Sequence, residues 1–207
     1  SLVSNDPFIF GNFDWEKHKA DFEASNRTLE NIQKQLAKYM EAKREEFPRF
    51  YFLADEELLE LLATTKEPSS VRKFLSKCFE GIDNLEFAPS GEIRAVLSSE
   101  GERMGLSRVV DPSAGEKKGC VEKWLVELEE ASRESVRFHA KSAVETGKGH
   151  DDWLARFPAQ TTLAANAVRW AAGTEAAIER NSLREFIGEQ AALLAEIVAR
   201  VRSELPP

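Results

Sequence analysis

Only two cysteines, Cys78 and Cys120, and three histidines, His18, His139 and His150, occur among the 207 residues. Thiols so far apart form no CxxC pair and, with scattered histidines, no zinc arrangement. The expectation is two buried free thiols in a reduced compartment. No apolar run approaches the roughly 20 residues a membrane-spanning helix needs. The opening Ser1-Leu2-Val3-Ser4-Asn5-Asp6 has neither the basic nor the apolar part of a signal peptide. Positive charge is also scarce: 28 Lys and Arg stand against 36 Asp and Glu, a net charge of −8. Phosphate backbones are bound by clustered Lys and Arg, so neither nucleic acid nor a membrane is expected as a partner. An initiator Met is missing too, and the chain stops at Leu205-Pro206-Pro207 directly after a helical pattern. Such ends are expected of a cut through a longer polypeptide.

What is present is the balance of a globular protein, 42% hydrophobic and 31% charged. A chain of this length suits one domain, or two small helical lobes, and needs no disulfide or metal to hold a core. Residues 1–12 carry Pro, Gly and Phe without helical period and read as an arm. From Asp14 to Phe47 the residues Phe22, Leu29, Ile32, Leu36, Tyr39 or Met40, and Phe47 recur at three- and four-residue intervals, the stripe of an amphipathic helix. Pro48 ends it. The run Phe50-Tyr51-Phe52-Leu53 reads as a short β-like segment threading the core. A helix then starts near Asp55, with Leu58, Leu59, Leu61 and Leu62 giving it two apolar faces. Ser69 or Ser70 is placed to cap the next helix, through Phe74, Leu75 and Cys78 to Phe79.

Between residues 82 and 111 the period shifts to two. Leu85-Glu86-Phe87, Ile93 to Leu97, and Leu106 to Val110 alternate like half-buried strands, with turns at Pro89-Ser90-Gly91 and Ser98 to Glu102. Beyond a polar loop, Val121, Trp124, Leu125, Leu128, Val136 and Ala143 mark a long helix that Gly147-Lys148-Gly149 ends. Leu163, Ala167, Trp170, Ala171, Thr174 and Ile178 mark another. Ser182-Leu183-Arg184-Glu185 reads as a capping box opening the last, whose stripe is Leu183, Phe186, Leu194, Ile197, Val201 and Leu205. The fold class is therefore mainly α: an elongated helical bundle with a small antiparallel β hairpin or meander inserted near residues 82–111. Helical lobes at 13–80 and 119–205 flank the insert.

Catalytic chemistry finds little footing. Thr146-Gly147-Lys148-Gly149 looks like part of a phosphate loop, but Ser142 and Gly149 stand where that motif needs Gly and Ser or Thr. It also closes a helix, whose carbonyl end repels phosphate. His150-Asp151-Asp152 reads as a helix start and His139 as an edge residue. Cys78 shares a face with Phe74 and Leu75, which points to burial. The serine turn lacks a Gly-x-Ser-x-Gly elbow. Paired acids at Glu56-Glu57, Glu129-Glu130 and Asp151-Asp152 fall in first turns or on polar faces. No catalytic, cofactor-binding or metal residues are assigned.

The string Phe47-Pro48-Arg49-Phe50-Tyr51-Phe52-Leu53-Ala54-Asp55-Glu56-Glu57-Leu58-Leu59-Glu60 resembles the signature of the dynein heavy chain linker. Later blocks follow in the same order: Lys77-Cys78-Phe79-Glu80, Leu85-Glu86-Phe87, Ser98 to Glu102, Trp124-Leu125, then Trp153, Phe157 to Gln160, and Trp170. Ala54 stands where that family usually has a capping Ser, Ala159 replaces a Gly and Phe157 a Trp. The stretch from Arg137 to Gly149 is richer in Ala and Gly than the family pattern. The resemblance implies the carboxy-terminal part of a rod of packed helices that moves over an ATPase ring and delivers the power stroke. It further implies that ATP and Mg are held elsewhere in the parent chain, with no cofactor in this piece. The partners it implies are the ring of the same heavy chain and, through the parent motor, microtubules. Several blocks look closer to axonemal than to cytoplasmic dyneins, so the axoneme of a cilium or flagellum is the expected location within the cytoskeleton. The turn Ser99-Glu100-Gly101-Glu102-Arg103 is expected to project and meet the ring. An alternative from the residues alone is a helical scaffold that binds a partner helix.

Overall fold

In the computed structural model, residues 15–64, 67–146 and 156–202 are described. Helix α1 spans Trp15–Glu46, about 48 Å at 1.5 Å per residue. It stops where the sequence demands: Phe47 precedes a proline and takes an extended conformation (φ −130°, ψ 93°), and Pro48 opens the 3-10 helix Pro48–Phe52. The aromatic run is therefore not the β-like segment expected. Proline pre-sets helical φ, and a 3-10 helix repeats every three residues. Phe47, Phe50 and Leu53 share its inner face and are buried, while Tyr51 and Phe52 point outward at 56% and 68% exposure.

Helix α2, Asp55–Ala63, buries Leu58 and Leu61 and half-buries Leu59 and Leu62. With Ala54 at the N-cap the helix begins at Asp55, and the Ala54 N–H donates to Glu57 Oε2 at 3.1 Å. A 3-10 turn, Pro68–Val71, leads into α3, Arg72–Cys78. Neither Ser69 nor Ser70 caps α3, because the 3-10 turn already supplies the preceding backbone. Ser70 Oγ instead donates to Thr64 O at 3.2 Å.

Strands β1 (Asn84–Phe87), β2 (Ile93–Leu97) and β3 (Arg103–Val110) form the expected antiparallel meander in the order β1-β2-β3. Ala95, Val96 and Leu97 pair with Gly105, Met104 and Arg103, and the register shifts before Ile93 meets Val110. Helix α4 runs Val121–Glu145. Its buried positions are Val121, Glu122, Trp124, Leu125, Leu128, Ala131, Ser135 and Ala143. Val136, expected on that stripe, is exposed, since Ser135 holds the inward position.

Helices α5 (Ala159–Glu179) and α6 (Leu183–Arg202) form a hairpin. Asn181 sits at φ +56° between them. Its N–H donates to Ile178 O, and the Ser182 N–H to Ala177 O, the two bonds of a Schellman ending with Asn in glycine's usual place. The buried face of α5 is made of small residues, Thr161, Thr162, Ala165 and Ala177. Leu163, Trp170 and Ile178, which mark this helix in the sequence, are exposed. On α6, Phe186 and Ile197 are half-buried, whereas Leu183, Leu194 and Val201 are exposed. The stripe of α1 is likewise exposed at Phe22, Leu29, Ile32 and Tyr39 and buried only at Met40.

Two units separate by their internal contacts. The first holds the described residues of Ser1–Asn84 with Asp111–Glu127, and the second Leu85–Val110 with those of Leu128–Pro207.

Candidate functional site: an aromatic joint and a charged hairpin

In the first unit the motif residues converge on a joint between α1, α2 and α3. The Phe47 ring meets Phe50 edge-on with centroids 5.0 Å apart and lies 5.9 Å from Phe79. Two arginines tie this cluster to helix ends. Arg49 lies over the Phe79 ring at 5.0 Å and donates from Nη1 to Cys78 O at 3.0 Å, the carbonyl that ends α3. Arg44, in the last turn of α1, donates to Leu53 O (3.3 Å) and Asp55 Oδ1 (2.7 Å). One guanidinium thus joins the end of the 3-10 helix to the start of α2. Each is a cation at a carbonyl end, where the helix dipole favours it. Pro48 starts the 3-10 helix, and Leu53 closes it with its N–H on Phe50 O.

A third tie is buried. Lys43 Nζ pairs with Glu122 Oε1 in the first turn of α4, and the Glu122 side chain is 2% exposed. Burial alone pulls the Lys43 pKa down, but its hydrogen bond and charge contact with Glu122 lead a set of contacts that leave it raised. Trp124, two residues on, is 3% exposed. Glu57 holds the Ala54 N–H and also pairs with Lys77 of α3, which keeps its carboxyl below the ordinary range. Burial pushes the Cys78 thiol up to about 11 despite Arg49 nearby, which favours the protonated form, whereas Cys120, expected to be buried as well, is only half-buried.

In the second unit the sheet and α4 are laced by polar side chains. Ser135 Oγ accepts the Ser107 N–H at 2.8 Å and donates to Ala131 O at 2.6 Å. Arg108 reaches Glu134 (2.8 Å) and Glu130 (3.4 Å). His139 donates from Nε2 to Gly105 O at 3.0 Å, so it serves as a structural donor. Sequence reasoning passed over Ser135, because a serine on an apolar stripe reads as a gap. Only the inward i, i+4 spacing from Ala131 pointed to it.

The turn expected to project is already engaged. Ser99, Glu100 and Gly101 are exposed at the tip, with Gly101 at φ +83°. Arg103 pairs with Glu86 through Nε (2.6 Å) and Nη2 (3.0 Å), and that contact lowers the Glu86 carboxyl pKa. Glu102 Oε1 accepts the Ala159 N–H at 2.7 Å. Of the remaining motif residues, Trp170 lies exposed on α5, while Trp153 lies outside the described residues, as do Gly147, Lys148, Gly149, His150, Asp151 and Asp152. Among the described residues, no group of three or more His, Cys, Asp or Glu is placed to hold a metal ion. None of the described helices is long and apolar enough to cross a membrane.

Residues 3–143 match the family model described as "Dynein heavy chain, N-terminal region 2". The chain is 40% identical over 184 residues to human dynein axonemal heavy chain 12, covering 87% of this chain and 6% of that protein. It is 37% identical over 185 residues to human dynein axonemal heavy chain 3, and 38% over 183 residues to rat dynein axonemal heavy chain 1. Both of those matches cover 87% of this chain and 4% of the relative. The chain thus spans a small fraction of the length of the curated relatives it matches.

Proposed function

The chain belongs to the dynein heavy chain family, and from that membership we propose that it is a mechanical linker element of a microtubule motor. In this reading it carries the nucleotide-driven movement of the ATPase ring as the power stroke and catalyses nothing itself. ATP and Mg are bound elsewhere in the parent chain, and microtubules are reached only through the parent motor. The axonemal names of the relatives favour the axoneme of a cilium or flagellum.

The observation that carries the reading is the joint at Phe47, Phe50 and Phe79. A lever transmits force only if its helices are locked at their junctions. Here Arg44, Arg49 and Glu57 tie helix ends around a buried aromatic cluster. The test is the whole heavy chain carrying Arg44→Ala with Arg49→Ala. Microtubule gliding should slow while ATP turnover persists, because a softened joint dissipates the stroke. Unchanged velocity counts against the reading, and so does ATP hydrolysis above background by the 207-residue chain alone.

For the hairpin, Arg103 is paired with Glu86 within the chain, while Glu100 and Ser99 stand exposed at the tip and are the groups proposed to meet the ring first. Glu100→Lys in the whole motor should alter gliding velocity without changing the fold. The second reading is a scaffold that binds a partner helix, favoured by the exposed Phe22, Leu29 and Ile32 on α1. Coding sequence for P-loop modules downstream of Pro207 favours the motor; a stop codon there favours the scaffold.

A further inference from the structure

The amino end of α5 has no cap of its own. Its N-cap is Pro158, with no side-chain hydrogen bond, and its first turn holds no acidic residue. The first N–H groups of a helix lack intrahelical partners and carry partial positive charge, so a helix start usually takes a Ser, Thr, Asp or Asn cap or a nearby acid. The missing carboxylate arrives from 57 residues away, where Glu102 Oε1 accepts the Ala159 N–H at 2.7 Å.

The hairpin turn aims that carboxylate. Gly101 N–H donates to Ser98 O and Ser98 N–H to Glu102 O, both at 3.0 Å, while the Glu102 N–H donates to Ser98 Oγ at 3.1 Å. The nearest cation in sequence, Arg103, is held on Glu86 by two bonds and leaves Glu102 to α5. Glu102 itself is exposed, so a cation from outside can reach it. The start of α5 is also pinned by apolar packing, with Phe157 buried beside Ala143 and Ala165. Loss of the cap would therefore loosen the first turn without detaching the helix.

We propose that the β2–β3 hairpin tip and the amino end of α5 form a releasable latch. Glu102 is the cap α5 lacks, and a lysine or arginine on a neighbouring surface that captures Glu102 loosens the first turn of α5. The latch couples a surface contact at the tip to order in a helix that begins 57 residues later in the chain. It does not rest on the motor reading, since the cap is a contact within this chain and only its release calls for an outside cation.

Amide hydrogen exchange on the 207-residue chain tests it. Glu102→Ala should speed exchange at Ala159 and Thr162 about five-fold, the usual worth of one cap, and leave the β2 and β3 amides unchanged. Glu102→Gln, which keeps an acceptor but no charge, should fall between. Pro158→Asp in the Glu102→Ala background should restore protection by supplying a local cap. Unchanged exchange at the start of α5 would overturn the latch. So would equal acceleration in β2 and β3, which would mean a damaged hairpin, or a Pro158→Asp variant that restores nothing.

Discussion

Phe47→Ala should be among the most destabilising single changes in the first unit, and Phe52→Ala, five positions on, close to silent. Phe47 is fully buried, with Phe50 edge-on at 5.0 Å and Phe79 at 5.9 Å. Truncation removes the transfer free energy of a whole ring and leaves a cavity that three helices cannot readily close. Phenylalanine-to-alanine changes at such sites cost about 3–5 kcal/mol, of which the edge-on pair accounts for about 1 kcal/mol. Phe52 is 68% exposed, and surface truncations away from caps and networks stay within about 0.5 kcal/mol. Trp124 is buried in the same unit and can report its unfolding in urea once Trp15, Trp153 and Trp170 are replaced by Phe. The midpoint should fall sharply for Phe47→Ala at unchanged m value and hardly move for Phe52→Ala. Comparable losses at the two positions would refute the three-residue repeat of the 3-10 helix as the device that sorts these aromatics.

The buried tie between Lys43 and Glu122 makes a second prediction: Lys43→Met alone should cost about 3 kcal/mol by stranding a buried carboxylate, and Lys43→Met with Glu122→Leu should recover most of it, as read by the same urea midpoints. Acid should weaken the fold through Glu57 and Glu86, whose folded pKa values lie below the ordinary range near 4.5. Depressed carboxyls contribute stability above the unfolded value and lose it as pH falls through the folded one, so Glu57→Gln and Glu86→Gln should each flatten the fall in Tm below pH 4.5. Native alkylation at pH 8 should modify Cys120 before the buried Cys78, whose thiol is pushed up to about 11; mass spectrometry gives the order. On α5, a Cβ at Gly173 would lie 2.6 Å from the Phe186 ring. Gly173→Ala should therefore destabilise the chain, yet stabilise it by about 1 kcal/mol when Phe186 is already Ala, because helix propensity then acts unopposed.

Proline and period shifts carried the fold in the sequence. Pro48 ends α1, the α2 start at Asp55 and the first two strands lie where acidic first turns and alternation put them, and the third begins at Arg103, three residues before the expected Leu106. The 3-10 helix was missed because an aromatic run scores as strand by propensity, while the spacing Phe47, Phe50, Leu53 that marks a three-residue repeat is short enough to pass as chance. On α5 the bulky residues marked the helix, but small ones make its buried contacts: Ala165 packs with Ala143 and Phe157, and Gly173 lies against the Phe186 ring. An amphipathic stripe shows which face of a helix is apolar and says nothing of what covers it. That is why the pattern on α1 located the helix although most of its stripe is exposed. Of the candidate site, the motif block was legible as a family signature. The ties made by Arg44, Arg49, Glu102 and Ser135 were not, since they join residues distant in sequence.

Those ties share a logic. The carbonyl end of α3 receives Arg49, that of the 3-10 helix receives Arg44, and the amino ends of α2 and α5 receive Glu57 and Glu102. In each case a side chain of matching charge meets a helix terminus, where backbone groups lack partners and the dipole is strongest. Arg49 and Glu102 come from well outside the helix they cap, and Arg44 reaches forward from the last turn of α1. Directional bonds are thereby placed at the junctions between elements. Exposed interfaces between long helices would slide under load, because dispersion contacts are individually weak and undirected. Charge-assisted bonds at the ends fix orientation as well as distance. Weakening a junction should therefore alter how elements move together before it alters whether they fold, and under the linker reading proposed above the gliding velocity of the parent heavy chain should respond to Arg44→Ala and Arg49→Ala at temperatures where the helical content of the variant is unchanged.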